Sequence, residues 1–155
     1  MQRNLLEQSV LSGLINDMAD SLSKRDRSAL MARVKGKGNR STEKVVEKTL
    51  KALGIKGWQK HPKNVFGKPD FYFKRERLAL FVDGCFWHAC PHCGRLPKSR
   101  PLFWLTKIHG NRRRDYRVRR TLRKEGIQTI RIWEHELNNA QWLKRLCSRL
   151  RDCRP

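Results

Sequence analysis

The sequence predicts an α/β fold in which a mixed β-sheet is flanked by helices and one loop is held by a structural metal ion. Three observations lead to this prediction. Short apolar runs alternate with longer segments of helical periodicity, three cysteines crowd into one loop after a predicted strand, and 155 residues suffice for one domain with a single core. The predicted element order, α-α-β-β-α-β-α, is typical of a mixed sheet covered by helices.

The first half of the chain is predicted to contain two helices. The basic segment Lys24–Val34 reads as a helix that stops at the glycines at 36 and 38. Ser41 and Thr42 are expected to cap a second helix, whose apolar residues recur at the spacing of one buried face. These apolar residues are Val46, Leu50 and Leu53. The glycines at 54 and 57 are expected to end this helix.

The second half is predicted to contain three strands and two helices. Asp70–Phe73 and Leu78–Val82 read as the strands of a hairpin, because a short charged segment separates two apolar runs. Phe103–Lys124 has the pattern of a long helix, and Ile127–Trp133 that of a third strand. Asn138–Arg151 is predicted to be a closing helix, with its apolar residues at helical spacing. Those residues are Trp142, Leu143, Leu146 and Leu150.

The charge of the chain predicts a polyanionic partner. Lys and Arg number 36 against 14 Asp and Glu, which gives a formal net charge of +22, more than solubility requires. Nucleic acid is favoured over a membrane surface, because the basic residues are interleaved with aromatic ones and no stretch approaches the roughly 20 apolar residues of a spanning helix. Charge alone would favour a ribosomal or histone-like protein that only binds nucleic acid, so the acidic and metal-binding residues must decide.

The amino terminus shows no cleavable signal sequence. Residues 1–18 suit a short amphipathic helix, because polar side chains interrupt their apolar residues. The expected compartment is therefore the reducing cytoplasm, where cysteines serve as metal ligands or buried thiols more often than as disulfides.

Three cysteines predict a structural zinc site. Cys85, Cys90 and Cys93 have the spacing C-x4-C-x2-C on a loop that follows a predicted strand. Thiolates so spaced can surround one Zn²⁺ ion, which takes four nitrogen or sulfur ligands in tetrahedral geometry. His135 is the predicted fourth ligand, with His92 as the local alternative; buried free thiols are the alternative to a metal site.

The residues around this loop also suggest catalysis. His88 is left over if zinc binds three cysteines and one histidine, and an imidazole can take a proton from a water that attacks a phosphodiester. The alternative role of His88 is that of a zinc ligand. Asp70 and Asp83 are expected on neighbouring strands of the hairpin, where two carboxylates suit Mg²⁺.

Two further acidic residues have ordinary explanations when they are read alone. Glu43 lies in the first turn of the second predicted helix, where a carboxylate interacts favourably with the helix dipole. Asp115 lies within a run of arginines, where a local salt bridge is expected.

Six short motifs are spread along the chain: Arg27-Ser28-x-x-Met31-x-x-Val34, Thr42-Glu43, Gly67-Lys68-Pro69-Asp70-Phe71, Gly84-Cys85-Phe86-Trp87-His88, Phe103-Trp104 and Arg131-Ile132-Trp133-Glu134. Together these motifs resemble the very-short-patch repair (Vsr) endonucleases, from about Ala19 to Leu150. The resemblance implies a restriction-endonuclease-like α/β fold with a structural zinc. It also implies nicking of DNA 5′ to the T of a T:G mismatch that deamination of 5-methylcytosine leaves behind.

The resemblance assigns roles to individual residues. Asp70 resembles the magnesium-binding aspartate of the family, with the backbone carbonyl of Val82 as the other protein ligand, and His88 resembles the catalytic base. Glu43 and Asp115 fall on acidic positions associated with the active site. Three aromatic residues fall on positions that wedge into the base stack beside the mismatch: Phe86, Trp87 and Trp104.

The chain departs from the best-known members of the family in two ways. The loop with the cysteines differs in length and in its Cys/His order, which leaves Cys93 and His92 as alternative zinc ligands. Asp83 stands where those members have a histidine, and we expect it to give the metal a second carboxylate. The segment before Ala19 lies outside the resemblance, so residues 1–18 are predicted to be an amino-terminal extension and residues 19–155 the endonuclease domain.

The implied partners are double-stranded DNA with a T:G mismatch and, functionally, a cytosine-5 DNA methyltransferase. A monomer without membrane association, acting in the bacterial cytoplasm at the nucleoid, is expected. Two alternatives remain: a zinc-stabilised, non-catalytic DNA-binding module, which would have no use for Asp70, and an RNA-binding accessory protein.

Overall fold

The computed structural model of the protein describes residues 25, 40–98 and 100–150. The predicted helix Lys24–Val34, apart from Arg25, and the predicted extension 1–18 lie outside this part of the chain. In chain order the elements are α1 (Arg40–Ala52), β1 (Trp58–Lys60), β2 (Phe71–Phe73), β3 (Leu78–Asp83), α2 (Pro101–Lys124), β4 (Gln128–Trp133), a 3₁₀ helix (Glu134–Asn138) and α3 (Gln141–Cys147).

The four strands form one mixed sheet in the order β1-β2-β3-β4. The predicted hairpin is confirmed, because β2 and β3 pair antiparallel. Helix α2 connects β3 to β4, which pair in parallel. The carboxyl ends of β3 and β4 therefore lie side by side, and so do the loops that leave them.

The strand β1 was not predicted from the sequence. It pairs antiparallel with β2 at the edge of the sheet. The strand is three residues long, and Gln59 and Lys60 are exposed, so it lacks the apolar run by which the other strands were identified.

Helices cover both faces of the sheet. The side chains that alternate along β3 therefore enter two different apolar clusters. Leu78 and Leu80 belong to one apolar cluster and Ala79 and Phe81 to another. The first cluster includes residues of α1 and α3, among them Val46, Leu50, Trp142 and Leu146. The second includes residues of α2 and the segments beside it, among them Val65, Val118, Leu122 and Ile127. This arrangement confirms the predicted mixed sheet flanked by helices.

Helix α1 differs from its prediction at both ends. It begins at Arg40, so Ser41 and Thr42 lie within its first turn and not ahead of it. Leu53 was predicted on the buried face, but it lies in the turn after the helix and is 50% exposed. The helix ends before Gly54, whose φ of 65° is a left-handed conformation that glycine adopts without strain.

The predicted closing helix Asn138–Arg151 is shorter within the described residues, where α3 spans Gln141–Cys147 and follows the 3₁₀ helix Glu134–Asn138. Glu136 accepts a hydrogen bond from the backbone amide of Trp133 at 2.8 Å, which caps the 3₁₀ helix. Asn139 accepts one from the amide of Gln141 at 2.9 Å, at the start of α3. Each side chain satisfies an amide that has no partner within its helix, so the chain starts two helices in succession. None of the helices in the described part of the chain is long and apolar enough to span a membrane.

Candidate active site

The structure brings together the four residues predicted to bind zinc. The sulfur atoms of Cys85, Cys90 and Cys93 and a ring nitrogen of His135 all lie within 4.8 Å of one another. The Nδ1 atom of His135 is 3.2 Å from the Cys85 sulfur and 3.5 Å from each of the other two. The cysteines lie on the loop after β3 and His135 on the 3₁₀ helix after β4, so the parallel pairing of these strands places them together.

His92, the alternative fourth ligand, lies beside this cluster and is not part of it. Its ring centre is 5.9 Å from that of His135.

The three thiols of the cluster affect one another's ionisation. The hydrogen bond with Cys85 raises the pKa of Cys93 to about 12, because neighbouring thiols cannot all ionise without a cation. Three sulfurs and one imidazole are a donor set that a tetrahedral metal ion fits, so the cluster could hold such an ion.

His88 lies on the same loop and contacts helix α2. Its Nδ1 atom is 2.5 Å from the Oδ2 atom of Asp115. The loop is further tied to α2 by Asn111, whose side-chain amide donates to the backbone carbonyl of Trp87 at 2.9 Å. His88 therefore has a fixed orientation, with Nδ1 occupied by a carboxylate.

Asp115 is a partner of His88 more than of the neighbouring arginines in the sequence. Arg114 lies 4.0 Å away, at the limit of a salt bridge, whereas Arg131 on β4 lies 3.1 Å from Oδ1. Burial opposes ionisation of Asp115, but the hydrogen bond from His88 and the charge of Arg131 hold its pKa below the ordinary value. Asp115 is thus a carboxylate ion that accepts bonds at both oxygens.

Asp83 ends β3 and is paired with Arg131. The side chain is buried, and Arg131 donates from Nη2 to Oδ1 at 2.8 Å and from Nε to Oδ2. Oδ1 also lies 3.8 Å from Nε2 of His88. The structure therefore gives Asp83 an arginine partner, where the sequence predicted a metal ligand.

Asp70 lies in a separate cluster with Glu43 and His61. Ligand atoms of these three side chains lie within 4.8 Å of one another, and Glu43 Oε2 is 3.0 Å from His61 Nε2. Oδ2 of Asp70 accepts a hydrogen bond from the backbone amide of Val82 at 2.7 Å. Burial raises the pKa of Asp70 to about 6, so its negative charge is costly in the absence of a cation. The sequence predicted Asp83 as the second carboxylate beside Asp70, but in the structure this carboxylate is that of Glu43.

The loop before Asp70 depends on a glycine. Gly67 has a φ of 79°, and a Cβ atom there would lie 2.3 Å from a methyl group of Val118 on α2. Both the backbone conformation and the close approach exclude a side chain. The glycine therefore lets the loop pack against α2 directly before Asp70.

His61 is the residue of this cluster that the sequence analysis missed. It directly follows β1, a strand that was itself not predicted, so nothing in the sequence placed the histidine near Glu43. Its backbone amide donates to the carbonyl of Asp70 at 3.1 Å, and its φ of 48° is unusual for a residue with a side chain.

The three aromatic residues of the predicted wedge pack against one another. Ring centres of Phe86 lie 5.1 Å from Trp87 and 5.2 Å from Trp104, in edge-to-face geometry. Trp104 is 8% exposed and Phe103 beside it is 55% exposed. Phe86 and Trp87 are half-buried on the loop that carries His88. The structure thus places an aromatic cluster next to the candidate catalytic histidine.

Comparison with known proteins identifies the family. The family model for the DNA mismatch endonuclease Vsr matches residues 19–95. The DNA mismatch endonuclease Vsr of Escherichia coli K12 is 32% identical over 128 residues, which are 81% of this chain and 80% of that protein. This chain belongs to the Vsr family.

Two type II nicking enzymes are also similar. V.XorIIP of Xanthomonas oryzae pv. oryzae is 42% identical over 124 residues, 79% of this chain and 89% of that enzyme. V.NmeAIP of Neisseria meningitidis serogroup A is 35% identical over 135 residues, 86% of this chain and 94% of that enzyme. The resemblance that the sequence motifs indicate is therefore confirmed at the level of the Vsr family.

Proposed function

We propose that this Vsr protein is a metal-dependent endonuclease that nicks one DNA strand 5′ to the T of a T:G mismatch. Such mismatches arise when 5-methylcytosine deaminates, and the nick would begin very-short-patch repair. The observation that supports this best is the meeting of two sites at the end of β3. The Val82 amide donates a hydrogen bond to Asp70 of the cluster with Glu43 and His61, and Oδ1 of the next residue, Asp83, lies 3.8 Å from Nε2 of His88.

His88 is the proposed general base. Because Nδ1 is hydrogen-bonded to the ionised Asp115, the proton of the neutral ring resides on Nδ1 and Nε2 is free to accept one from water. Asp115 then stabilises the imidazolium that forms, as a buried carboxylate does beside a catalytic histidine. The loop that carries His88 is the loop that contains the three cysteines, so zinc at that site would hold the base in place.

The proposed catalytic cation is Mg²⁺, held by the cluster around Asp70. One oxygen of Asp70 is bound by the Val82 amide, which leaves the other for a metal, and Glu43 and His61 lie within ligand distance. The backbone carbonyl of Val82 would complete the protein ligands. The oxygen donors of Asp70, Glu43 and Val82 fit Mg²⁺, and such an ion would neutralise phosphate charge and lower the pKa of bound water.

DNA binding would use the basic face of α2 and the aromatic cluster. A shallow depression on α2 is lined mainly by positive side chains: Arg112, Arg113, Arg114 and Arg117. Such a surface suits the phosphate backbone, which fixes register without reading sequence. Phe86, Trp87 and Trp104 are proposed to wedge into the base stack, where unstacking costs a few kcal/mol per step and least at a mispair.

We further infer the oligomeric state, the cellular compartment and the domain bounds from the Vsr family. The protein is proposed to act as a monomer in the bacterial cytoplasm, on DNA that a cytosine-5 methyltransferase modifies. Residues 19–155 would form the catalytic domain and residues 1–18 an extension. A restriction-endonuclease-like fold is consistent with the mixed sheet and with the family.

The deciding experiment is a gel assay on end-labelled duplexes that carry T:G or C:G at one position, in several sequence contexts. Metal-dependent nicking next to T:G alone, abolished by EDTA, is the expected result. Binding without cleavage in every context would favour the zinc-stabilised DNA-binding module instead. Tighter binding to structured RNA would favour the RNA-binding alternative.

His61 is expected to contribute to metal binding. His61→Ala should weaken binding of Mn²⁺, a spectroscopic substitute for Mg²⁺ that also accepts imidazole, by on the order of 10-fold. The affinity is measured by electron paramagnetic resonance on protein without DNA. His109→Ala is the matched control, because His109 is exposed on α2. Equal Mn²⁺ affinity for both variants would remove His61 from the metal site.

A further inference from the structure

Arg131 lies between the two carboxylates that flank the candidate catalytic base. It projects from β4 and contacts Asp83 on β3 and Asp115 on α2, three elements that meet beneath the loop carrying His88. The exposed fractions of the side chains are 24% for Arg131, 5% for Asp83 and 18% for Asp115. A largely buried cation is retained at such a position only when its partners are close and well oriented.

The sheet register explains how Arg131 reaches both acids. Arg131 is paired with Phe81 across β3 and β4, and Asp83 follows two residues later on the same face of β3. The guanidinium lies 5.2 Å from the centre of the Phe81 ring, on the face of the sheet that α2 covers. Asp115 approaches from α2 on that face. A guanidinium can bind two carboxylates at once because its donors form a rigid planar fork.

The two carboxylates lie at the two nitrogens of the His88 ring. Asp115 Oδ2 is 2.5 Å from Nδ1, and Asp83 Oδ1 is 3.8 Å from Nε2. Arg131 contacts the other oxygen of Asp115 and both oxygens of Asp83. The orientation of the imidazole therefore depends, through its hydrogen bond with Asp115, on an arginine that does not touch it.

We propose that Arg131 is a positioning residue for the nicking reaction. It holds Asp115 at Nδ1 of His88 and Asp83 beside Nε2, and we call this pair of carboxylates the bracket. Asp83 then serves in this bracket and does not supply a ligand to the catalytic metal. The inference rests on the proposed role of His88 as general base. It adds a residue on β4 that lies outside both the cluster of Asp70, Glu43 and His61 and the loop that carries the three cysteines.

The test compares Arg131→Met and Arg131→Lys with the wild type. Arg131→Met should lower the single-turnover nicking rate by on the order of 100-fold, because small displacements of a catalytic group cost that much, and should leave the Kd for mismatched DNA unchanged. Arg131→Lys should recover little of the rate, because an ammonium donates from a single nitrogen and lacks the planar fork with which Nε and Nη2 of Arg131 reach two carboxylates. Arg149→Met is the matched control, since Arg149 is exposed and bonds to Gln128.

Two further measurements separate this proposal from its rivals. Arg131→Met combined with Asp115→Asn should be no slower than the slower single variant, because residues that act as one unit are not additive. Asp83→Asn should leave the Mn²⁺ affinity unchanged, whereas a metal ligand would lower it when removed. A lowered Mn²⁺ affinity would overturn the assignment of Asp83 to the bracket.

A spectroscopic readout keeps the inference testable if the protein does not nick DNA at all. The Nδ1–H proton of His88 should give a protected imidazole signal in ¹⁵N-resolved NMR of the wild type, and Arg131→Met should lose it. Failure of wild-type nicking would refute the proposed function, and the NMR signal would then decide the bracket alone. The proposal would be overturned if the Arg131→Met protein, shown by its melting curve to be folded, kept both the imidazole signal and the wild-type nicking rate. If Arg131→Met does not fold, Arg131→Lys carries the same comparisons.

Discussion

Asp70→Asn is expected to abolish nicking, to leave the affinity for mismatched DNA intact and to stabilise the protein in the absence of Mg²⁺. The loss of activity follows from the removal of the charged oxygen of the proposed metal site, a ligand that an amide replaces poorly. DNA affinity depends mainly on basic side chains, so it should not change. Gel nicking and DNA-binding assays on the same preparation measure both effects.

The gain in stability follows from the buried charge. Burial raises the pKa of Asp70 from 3.8 to about 6, so the folded protein binds this proton more tightly than the unfolded chain. Stability therefore falls as the pH rises between these values, and the full penalty remains at pH 7 to 8. The difference corresponds to at most about 3 kcal/mol. Asp70→Asn should recover roughly 1 to 3 kcal/mol of unfolding free energy at pH 7.5 and none near pH 3.

Asp83→Asn is the matched control for this stability effect. It also neutralises a buried carboxylate, but it leaves Arg131 with a weaker partner, so it should destabilise the protein. Both variants are compared by denaturant unfolding of protein that retains zinc and lacks Mg²⁺. A destabilised Asp70→Asn protein would mean that the Val82 hydrogen bond outweighs the cost of burying the charge.

Sequence periodicity predicted the elements with buried apolar faces and failed where burial is partial. Helix α2 and strands β2, β3 and β4 were predicted to within about two residues at each end, because each contributes large apolar side chains to a cluster. The strand β1 has exposed residues and pairs along one edge, so its position depends on β2 and not on its own sequence. His61 follows β1 and was missed for the same reason.

Helical periodicity does contain a signal for the acidic residues of the site. The buried face of α2 passes through Trp104, Ile108, Val118 and Leu122, and Asp115 falls on the same face at intervals of three and four. Glu43 lies three residues before Val46 on the buried face of α1 and is 5% exposed. An acidic residue at an inward position needs a partner inside the protein, which argues against the solvated roles expected from the local sequence.

The pairing of Asp83 with Arg131 could not be read from local sequence. The two residues are 48 positions apart, and only the register of β3 with β4 places them on one face. The sequence showed Asp83 near Asp70 and therefore suggested a shared metal. Tertiary contacts thus changed the partner of Asp83, whereas the cysteine spacing, which is local, predicted the three sulfur donors of a cluster that could hold a metal ion.

Removal of zinc is expected to have the largest effect on stability of any single change. Cys90 is buried, and most of the loop from 84 to 98 consists of turns and irregular chain, without the backbone hydrogen-bond ladder of a helix or strand. Structural zinc contributes on the order of 10 kcal/mol to the folding of such a segment. Cys90→Ser or treatment with a zinc chelator should therefore lower the melting temperature by many degrees and abolish nicking even when Mg²⁺ is added back, since His88 lies on the same loop.

His92→Ala and His135→Ala test the identity of the fourth ligand. His135 lies 3.2 Å from the Cys85 sulfur, whereas His92 only packs beside its ring, so His135→Ala should lose zinc and His92→Ala should keep one ion per chain. Zinc content is measured colorimetrically after unfolding. Loss of zinc from His92→Ala with retention in His135→Ala would reverse the assignment. Because His135 follows β4 and the cysteines follow β3, zinc bound by His135 joins the ends of two parallel strands, and the catalytic loop is then fixed to the sheet at both sides.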